Sequence, residues 1–297
     1  MMTAKEKQEV LARLAAGDVA SLMAPDIESS TMQDEFAATM RVVKVLNVPA
    51  QQANGVYQKM IEKLKDADLT INIRAANFFH IARSGKYLNA YEIGQDGGYM
   101  TVRDTAEEKL FNYSNINGKT NLKANVQGAV NRIKQLGSYS GGSNLTFEPG
   151  VRPKYAALNF AGLTNGPASM YGSSYMVLKE HLKHNCTFSD RDSFSYRNNA
   201  NAAGLVANYL HLHRLILNMA DNKLKALYNA ATGGTIPGAR LGASDYIEAQ
   251  VHAGITVNRD IQKIYICNAE IGGPDGRQLR DLFTRFTQKF GIRLEYI

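Results

Sequence analysis

The sequence predicts an α+β protein with a helical N-terminal region, and three observations carry that expectation. Apolar residues recur at helical spacing up to about residue 66. The period then changes to two, with Leu69, Ile71 and Ile73 alternating with Thr70, Asn72 and Arg74. Near the C-terminus, Tyr246-Ile247-Glu248-Ala249-Gln250-Val251-His252 repeats the alternation: Ile247, Ala249 and Val251 on one face, Tyr246, Glu248, Gln250 and His252 on the other. At 297 residues and 44% hydrophobic content the chain can bury a substantial core.

Taken in order, Val10, Leu11 and Leu14 share a helical face before Gly17-Asp18 and Pro25-Asp26 interrupt it. The spacing of Phe36, Met40, Val43 and Leu46 predicts a helix over 33–46 with that stripe on the core, ended by Asn47 and Pro49. Val56, Tyr57, Met60, Ile61 and Leu64 predict the next. From about 112 to 150 the chain is rich in Asn, Gly and Ser around a helix-like piece at 126–136. Such Gly-rich loops tend to be functional. Strands are expected at 155–160 and 171–178. A long helix is expected from Ala203 to Tyr228, with Gly233 as its C-cap. A Gly-rich loop, 232–242, leads to the Glu248 strand. A strand at 261–267, a helix at 279–290 and a strand at 292–296 close the chain.

The formal net charge is +7 and favours anionic ligands, yet no run of Lys or Arg forms a nucleic-acid arm. Cys186 and Cys267 lack metal or redox spacing, so neither a disulfide framework nor a bound metal is expected. No segment has the length of a membrane span, and the N-terminus does not open a Sec-type leader. His211 and His213 lie two apart and diverge on a helix, so they read as solvated side chains. No phosphate loop, dinucleotide fingerprint or GxSxG elbow occurs. Asp190 and Asp192 read as turn residues bonding local backbone.

The remaining candidates concern ligand chemistry. Glu248 lies in a polar row that stability does not require, although an antiparallel strand with one wetted face has the same pattern. Arg74, at the end of its strand, offers a planar guanidinium suited to phosphate or ribose, or an ordinary surface arginine. Ser173 between Tyr171 and Tyr175 suits a flat heterocycle, or a core edge.

The element order resembles that of an ADP-ribosyltransferase. Three segments sharpen the likeness: Arg152-Pro153-Lys154-Tyr155-Ala156-Ala157-Leu158-Asn159; Tyr171-Gly172-Ser173-Ser174 running on to Thr187-Phe188-Ser189-Asp190-Arg191-Asp192-Ser193; and Asp245 to His252. Together they resemble a bacterial type III effector family, the CteC-like ADP-ribosyltransferases, over roughly 69–267. Where many relatives have a His-Pro-Asp-Arg stretch, this chain has Ile71-Asn72-Ile73-Arg74, so Arg74 is matched by position and chemistry. The resemblance implies an ADP-ribosyltransferase-like split sheet over 69–297, behind an N-terminal helical region at 1–68 with room for a secretion signal. It implies NAD as co-substrate without metal, Glu248 as catalytic residue, and Arg74, Phe111, Tyr155, Asn159, Tyr171, Ser173 and Gln250 around the dinucleotide. Arg240 would contact the acceptor, a threonine of host ubiquitin, whose modification blocks ubiquitination. The implied protein is a monomer delivered into the host cytoplasm, without nucleic-acid or membrane partners. Another acceptor, NAD hydrolysis alone, and a non-catalytic effector that binds a host protein remain as alternative readings.

Overall fold

A computed structural model describes residues 31–297 apart from 84, 95–97, 112, 117–118, 123–145, 148–151, 197, 200–204, 235–240 and 242–244. The expected helix at 126–136 and most of the loop before Glu248, Arg240 included, lie outside the described residues. Helices α1 (Thr31–Leu46) and α2 (Ala50–Asp66) meet at Asn47, whose φ is 54°, and Pro49. The change of period becomes β1 (Asp68–Ile73). Then come α3 (Phe78–Ile81), β2 (Ala82–Arg83), β3 (Lys86–Tyr87) and α4 (Gly98–Phe111). A small sheet follows, built from β4 (Tyr113–Ile116), β5 (Lys119–Leu122) and β6 (Thr146–Phe147). Next are β7 (Lys154–Asn159), β8 (Ser174–Leu178), β9 (Cys186–Ser189) and β10 (Ala207–Asn208). Helices α5 (His213–Asn218) and α6 (Asp221–Thr232) precede β11 (Ile247–Val251) and β12 (Ile255–Thr256). The chain ends with α7 (Val257–Asp260), β13 (Ile261–Ile266), α8 (Gly276–Phe290) and β14 (Arg293–Tyr296).

The protein is α+β, with one large mixed sheet in the order β10-β9-β11-β7-β1-β8-β13-β14. β13 and β14 run parallel, and the other neighbours in that sheet are antiparallel. Register carries the alternation of each strand across its neighbours. Glu248 stands opposite Ala157 and Ser189, Gln250 opposite Tyr155 and Thr187, and Asn72 opposite Tyr175. One face is therefore apolar. Leu69, Ile71, Ala156, Leu158, Ile247, Ala249 and Val251 on it join Tyr57, Met60 and Leu64 of α2 and Leu224 and Leu227 of α6 in one core. Helix α1 packs on α5, and α2 on α6.

Three local expectations change. Helix α1 buries Ala38 and Val42, while Phe36 and Met40 are exposed. The small pair lets α1 approach α5, and Arg41, on the same face, donates to the carbonyls of Ile216, Leu217 and Met219 at the end of α5. Side-chain size alone is therefore a poor guide to the core stripe of α1. The long helix expected from 203 to 228 is two short ones, broken where Met219 and Ala220 turn extended at ψ near 152°. Asn208 contributes to that outcome, because its side-chain oxygen accepts the N–H groups of Leu210 and His211. Gly233 does cap α6, at φ 74°. His211 and His213 are buried, not solvated, with ring centroids 5.5 Å apart. Burial lowers His213 to about 4, which keeps its ring neutral at pH 7.

Candidate active site

The polar row of β11 is not wetted. Glu248 is 2% exposed and Gln250 is fully buried, because α4 and the turn Ser193–Tyr196 cover this face of the sheet. A buried polar row needs internal partners, and it has them. Glu248 Oε1 accepts the Ser193 N–H at 3.1 Å and Gln250 Nε2 at 2.8 Å. Gln250 Nε2 also donates to Ser189 Oγ at 2.8 Å, and its oxygen accepts Thr187 Oγ1 at 2.7 Å. With that hydroxyl proton committed, His252 Nε2, 2.8 Å away, donates to Thr187 Oγ1. Burial and the nearby Lys154 lower His252 to about 3, so the imidazole is neutral. Gln250 spends its oxygen and both donors on neighbours, and its task is to hold Glu248.

Burial is the main reason that the Glu248 carboxyl rises from 4.5 to about 7, and the charge of Asp192 adds to it. Its other oxygen, Oε2, lies 3.4 Å from the Tyr246 hydroxyl. That hydroxyl is 3.4 Å from Tyr171 Oη, which donates to Asp192 Oδ2 at 3.2 Å. Lys223, buried beneath, donates to the carbonyls of Asp190 and Tyr246 and pins the end of β9 to the start of β11. Desolvation lowers it to about 8.

Glu248 lines a cavity of about 310 Å3 together with Tyr155, Tyr171, Tyr246, Arg103 and Asn72. Tyr155 donates to Glu107 Oε1 at 2.7 Å, and the Arg103 guanidinium stacks on its ring at 4.0 Å. Glu107 is fully buried and raised to about 7, chiefly by desolvation, with the Glu248 charge adding to it. Arg152 pairs with Glu107 at 3.1 Å and with Asp104. Tyr155 is thus a cavity-lining ring held in place by a charged cluster.

Of the residues singled out from sequence, Glu248, Tyr155 and Tyr171 meet in this cavity. Arg74 and Ser173 come together just beyond its lining, because Gly172, at φ 149°, lies against the Ile73–Arg74 backbone so closely that a Cβ there would overlap it. The strand expected from residue 171 begins at Ser174, and Ser169–Tyr171 is a 3₁₀ turn, so Ser173 does not share a strand face with Tyr171. Phe111 is fully buried, edge-on to His252 with centroids 5.0 Å apart. Asn159 ties a turn by accepting the Leu163 N–H at 2.8 Å and donating to its carbonyl at 3.0 Å. Asp192 Oδ1 accepts the Phe194 N–H at 2.8 Å, as its turn context predicts. Arg103 and Glu107 carry no sequence signal for this site. Their i,i+4 spacing marks a helical ion pair, but nothing local points it at Tyr155.

Residues 81–227 match the model of a family described as a protein of unknown function (DUF3626), to which this chain is therefore similar over that stretch. That match takes in Tyr155, Tyr171 and Ser173, and stops before Glu248. No curated protein matches the chain. Among the described residues no helix is long and apolar enough to cross a membrane.

Proposed function

We propose that this protein is an NAD-dependent mono-ADP-ribosyltransferase with the fold of that class, a bacterial type III effector whose acceptor is a threonine hydroxyl of host ubiquitin. The observation that carries the reading is the Glu248 carboxylate, held by Ser193 and Gln250 in the wall of an aromatic cavity. The chain order of Arg74 just after β1, Ser173 just before β8 and Glu248 within β11 agrees with it. So does the cavity, whose size suits the nicotinamide end of a dinucleotide. Bound NAD supplies a ribose carbon that becomes positive as nicotinamide departs with the bonding electron pair.

The residues divide the work. Glu248 sets negative charge beside that carbon and accepts the proton of the incoming threonine hydroxyl. Tyr155, braced by Glu107 and Arg103, presents a ring for the nicotinamide. Arg74, exposed at the end of β1, holds phosphate from outside the cavity. Modification of ubiquitin by this route blocks its conjugation. Acceptor choice belongs to the Gly-rich stretch before β11, with Arg240 as its contact residue.

The test is incubation with NAD and ubiquitin, following nicotinamide release and the mass of ubiquitin in parallel. Both are expected to change. Nicotinamide release without a shift of ubiquitin would move the reading to another acceptor or to NAD hydrolysis. Neither signal would reject it. Replacing 236–240 with a Gly/Ser linker is expected to suppress the ubiquitin shift and leave slow nicotinamide release. Arg74→Lys is expected to weaken NAD binding by about tenfold, since an ammonium cannot reproduce a bidentate fork. Calorimetric titration measures it, and an unchanged dissociation constant would return Arg74 to the surface.

A further inference from the structure

We infer that Glu270 is a positioning residue that locks Arg74 and Ser173 into one ligand-binding unit. This inference rests on the proposed NAD chemistry, in which those two residues hold the dinucleotide beyond the cavity. Glu270 stands in the 3₁₀ turn Asn268–Ile271 that follows β13, remote in sequence from both. Its carboxylate nevertheless collects three donors. Oε2 accepts the Ala75 N–H at 2.8 Å and the Ser174 hydroxyl at 2.7 Å, and Oε1 accepts the Ser173 N–H at 2.6 Å. One group thus ties the residue after Arg74, where the chain leaves β1, to Ser173 and to Ser174, the first residue of β8.

The surrounding bonds complete the clamp. Ser174 Oγ accepts the Cys267 N–H at 2.9 Å, which anchors the clamp to the end of β13. Asn72 donates to the Gly172 carbonyl at 2.8 Å and to the Asn165 carbonyl at 2.7 Å, so the strand before Arg74 is fixed to the loop before Ser173. Glu270 thus reaches the backbone next to Arg74. Here backbone N–H groups and a hydroxyl satisfy the oxygens, and the Arg74 side chain makes no hydrogen bond or ion pair among the described residues. The negative charge is spent on the backbone, and the guanidinium stays available for an anion. Precise placement of such a group supports binding more than chemistry, because the reacting carbon belongs to Glu248.

Glu270→Gln keeps the size of the side chain but turns an NH2 toward donors that need an acceptor. It is expected to raise the KM for NAD roughly tenfold, the scale of a lost charge-assisted hydrogen bond, with kcat for nicotinamide release within about twofold of wild type. The decisive measurement is a double-mutant cycle with Arg74→Ala. If Glu270 acts through Arg74, Glu270→Gln adds little to the KM of Arg74→Ala. Assays run well below the midpoint of each variant's thermal unfolding, and circular dichroism confirms the fold. Additive effects on KM, or a loss confined to kcat or to melting temperature, would overturn the inference while leaving the transferase reading intact. Should Glu270→Gln fail to fold, Ser174→Ala, which removes one of the three donors, is expected to shift KM in the same direction and by less. An unchanged KM there would overturn the inference as well. Absence of NAD binding by the wild-type protein would overturn both readings together.

Discussion

Glu248→Gln is expected to lower ADP-ribose transfer and nicotinamide release by on the order of 10³-fold, the scale of losing one aimed electrostatic group, and to leave NAD binding nearly intact. The same substitution is expected to stabilise the fold at alkaline pH. Burial raises the Glu248 carboxyl from 4.5 to about 7, so the folded state binds its proton more tightly than the unfolded chain. Stability from this group is fully present below pH 4.5 and declines as pH rises through about 7. Each tenfold difference in proton affinity is worth about 1.4 kcal/mol, which makes the loss at pH 8 on the order of 3 kcal/mol. Glutamine carries no charge and keeps an oxygen for Ser193 and Gln250, so it avoids that loss. Melting at pH 8 is expected to rise by roughly 5 °C, and at pH 4, below both values, the two proteins should melt together. A variant with near wild-type turnover would remove Glu248 from the chemistry. One that melts lower at pH 8 would show that its charge is better compensated than its burial implies. Wild-type activity, which needs the ionised carboxylate, is expected to climb as pH passes 7.

The largest effect on stability is expected at Arg152, which is 2% exposed and lies between Glu107 and Asp104 with its guanidinium 4.2 Å from the Tyr91 ring. Arg152→Met keeps the apolar stem but removes the nearer of the two cations at Glu107, leaving Arg103 at 4.0 Å. Breaking a buried pair from one side costs about 3–5 kcal/mol. The cost at pH 8 should exceed that at pH 5, where Glu107, already raised to about 7, is neutral in both proteins. Because Glu107 also fixes the Tyr155 hydroxyl, NAD affinity is expected to fall in the folded fraction. Urea unfolding at the two pH values measures the first effect, and titration the second. Equal losses at both pH values would mean that packing on Tyr91, rather than the charge pair, is what Arg152 contributes.

Local periodicity determined a good deal of this protein. The switch from helical spacing to alternation near residue 68, the two faces of Tyr246 to His252 and the glycine cap after α6 are properties of neighbouring residues. They are legible because backbone geometry repeats over a few positions. The same alternation singled out Glu248 and placed Gln250 beside it. What covers that row was not local. Whether its face met water or protein depended on α4, more than a hundred residues earlier, and only that cover makes the carboxyl a buried one and its partners obligatory. The exposed Phe36 and Met40 show the limit from the other side, since hydrophobicity ranks side chains but the approach of α5 selects which helix face is buried. Residues that act across distant elements, Glu107 beneath Tyr155, Lys223 beneath Tyr246 and Glu270 across β1 and β8, leave no pattern in sequence. Their partners are fixed by strand order and register, and those are settled by the packing of the whole sheet.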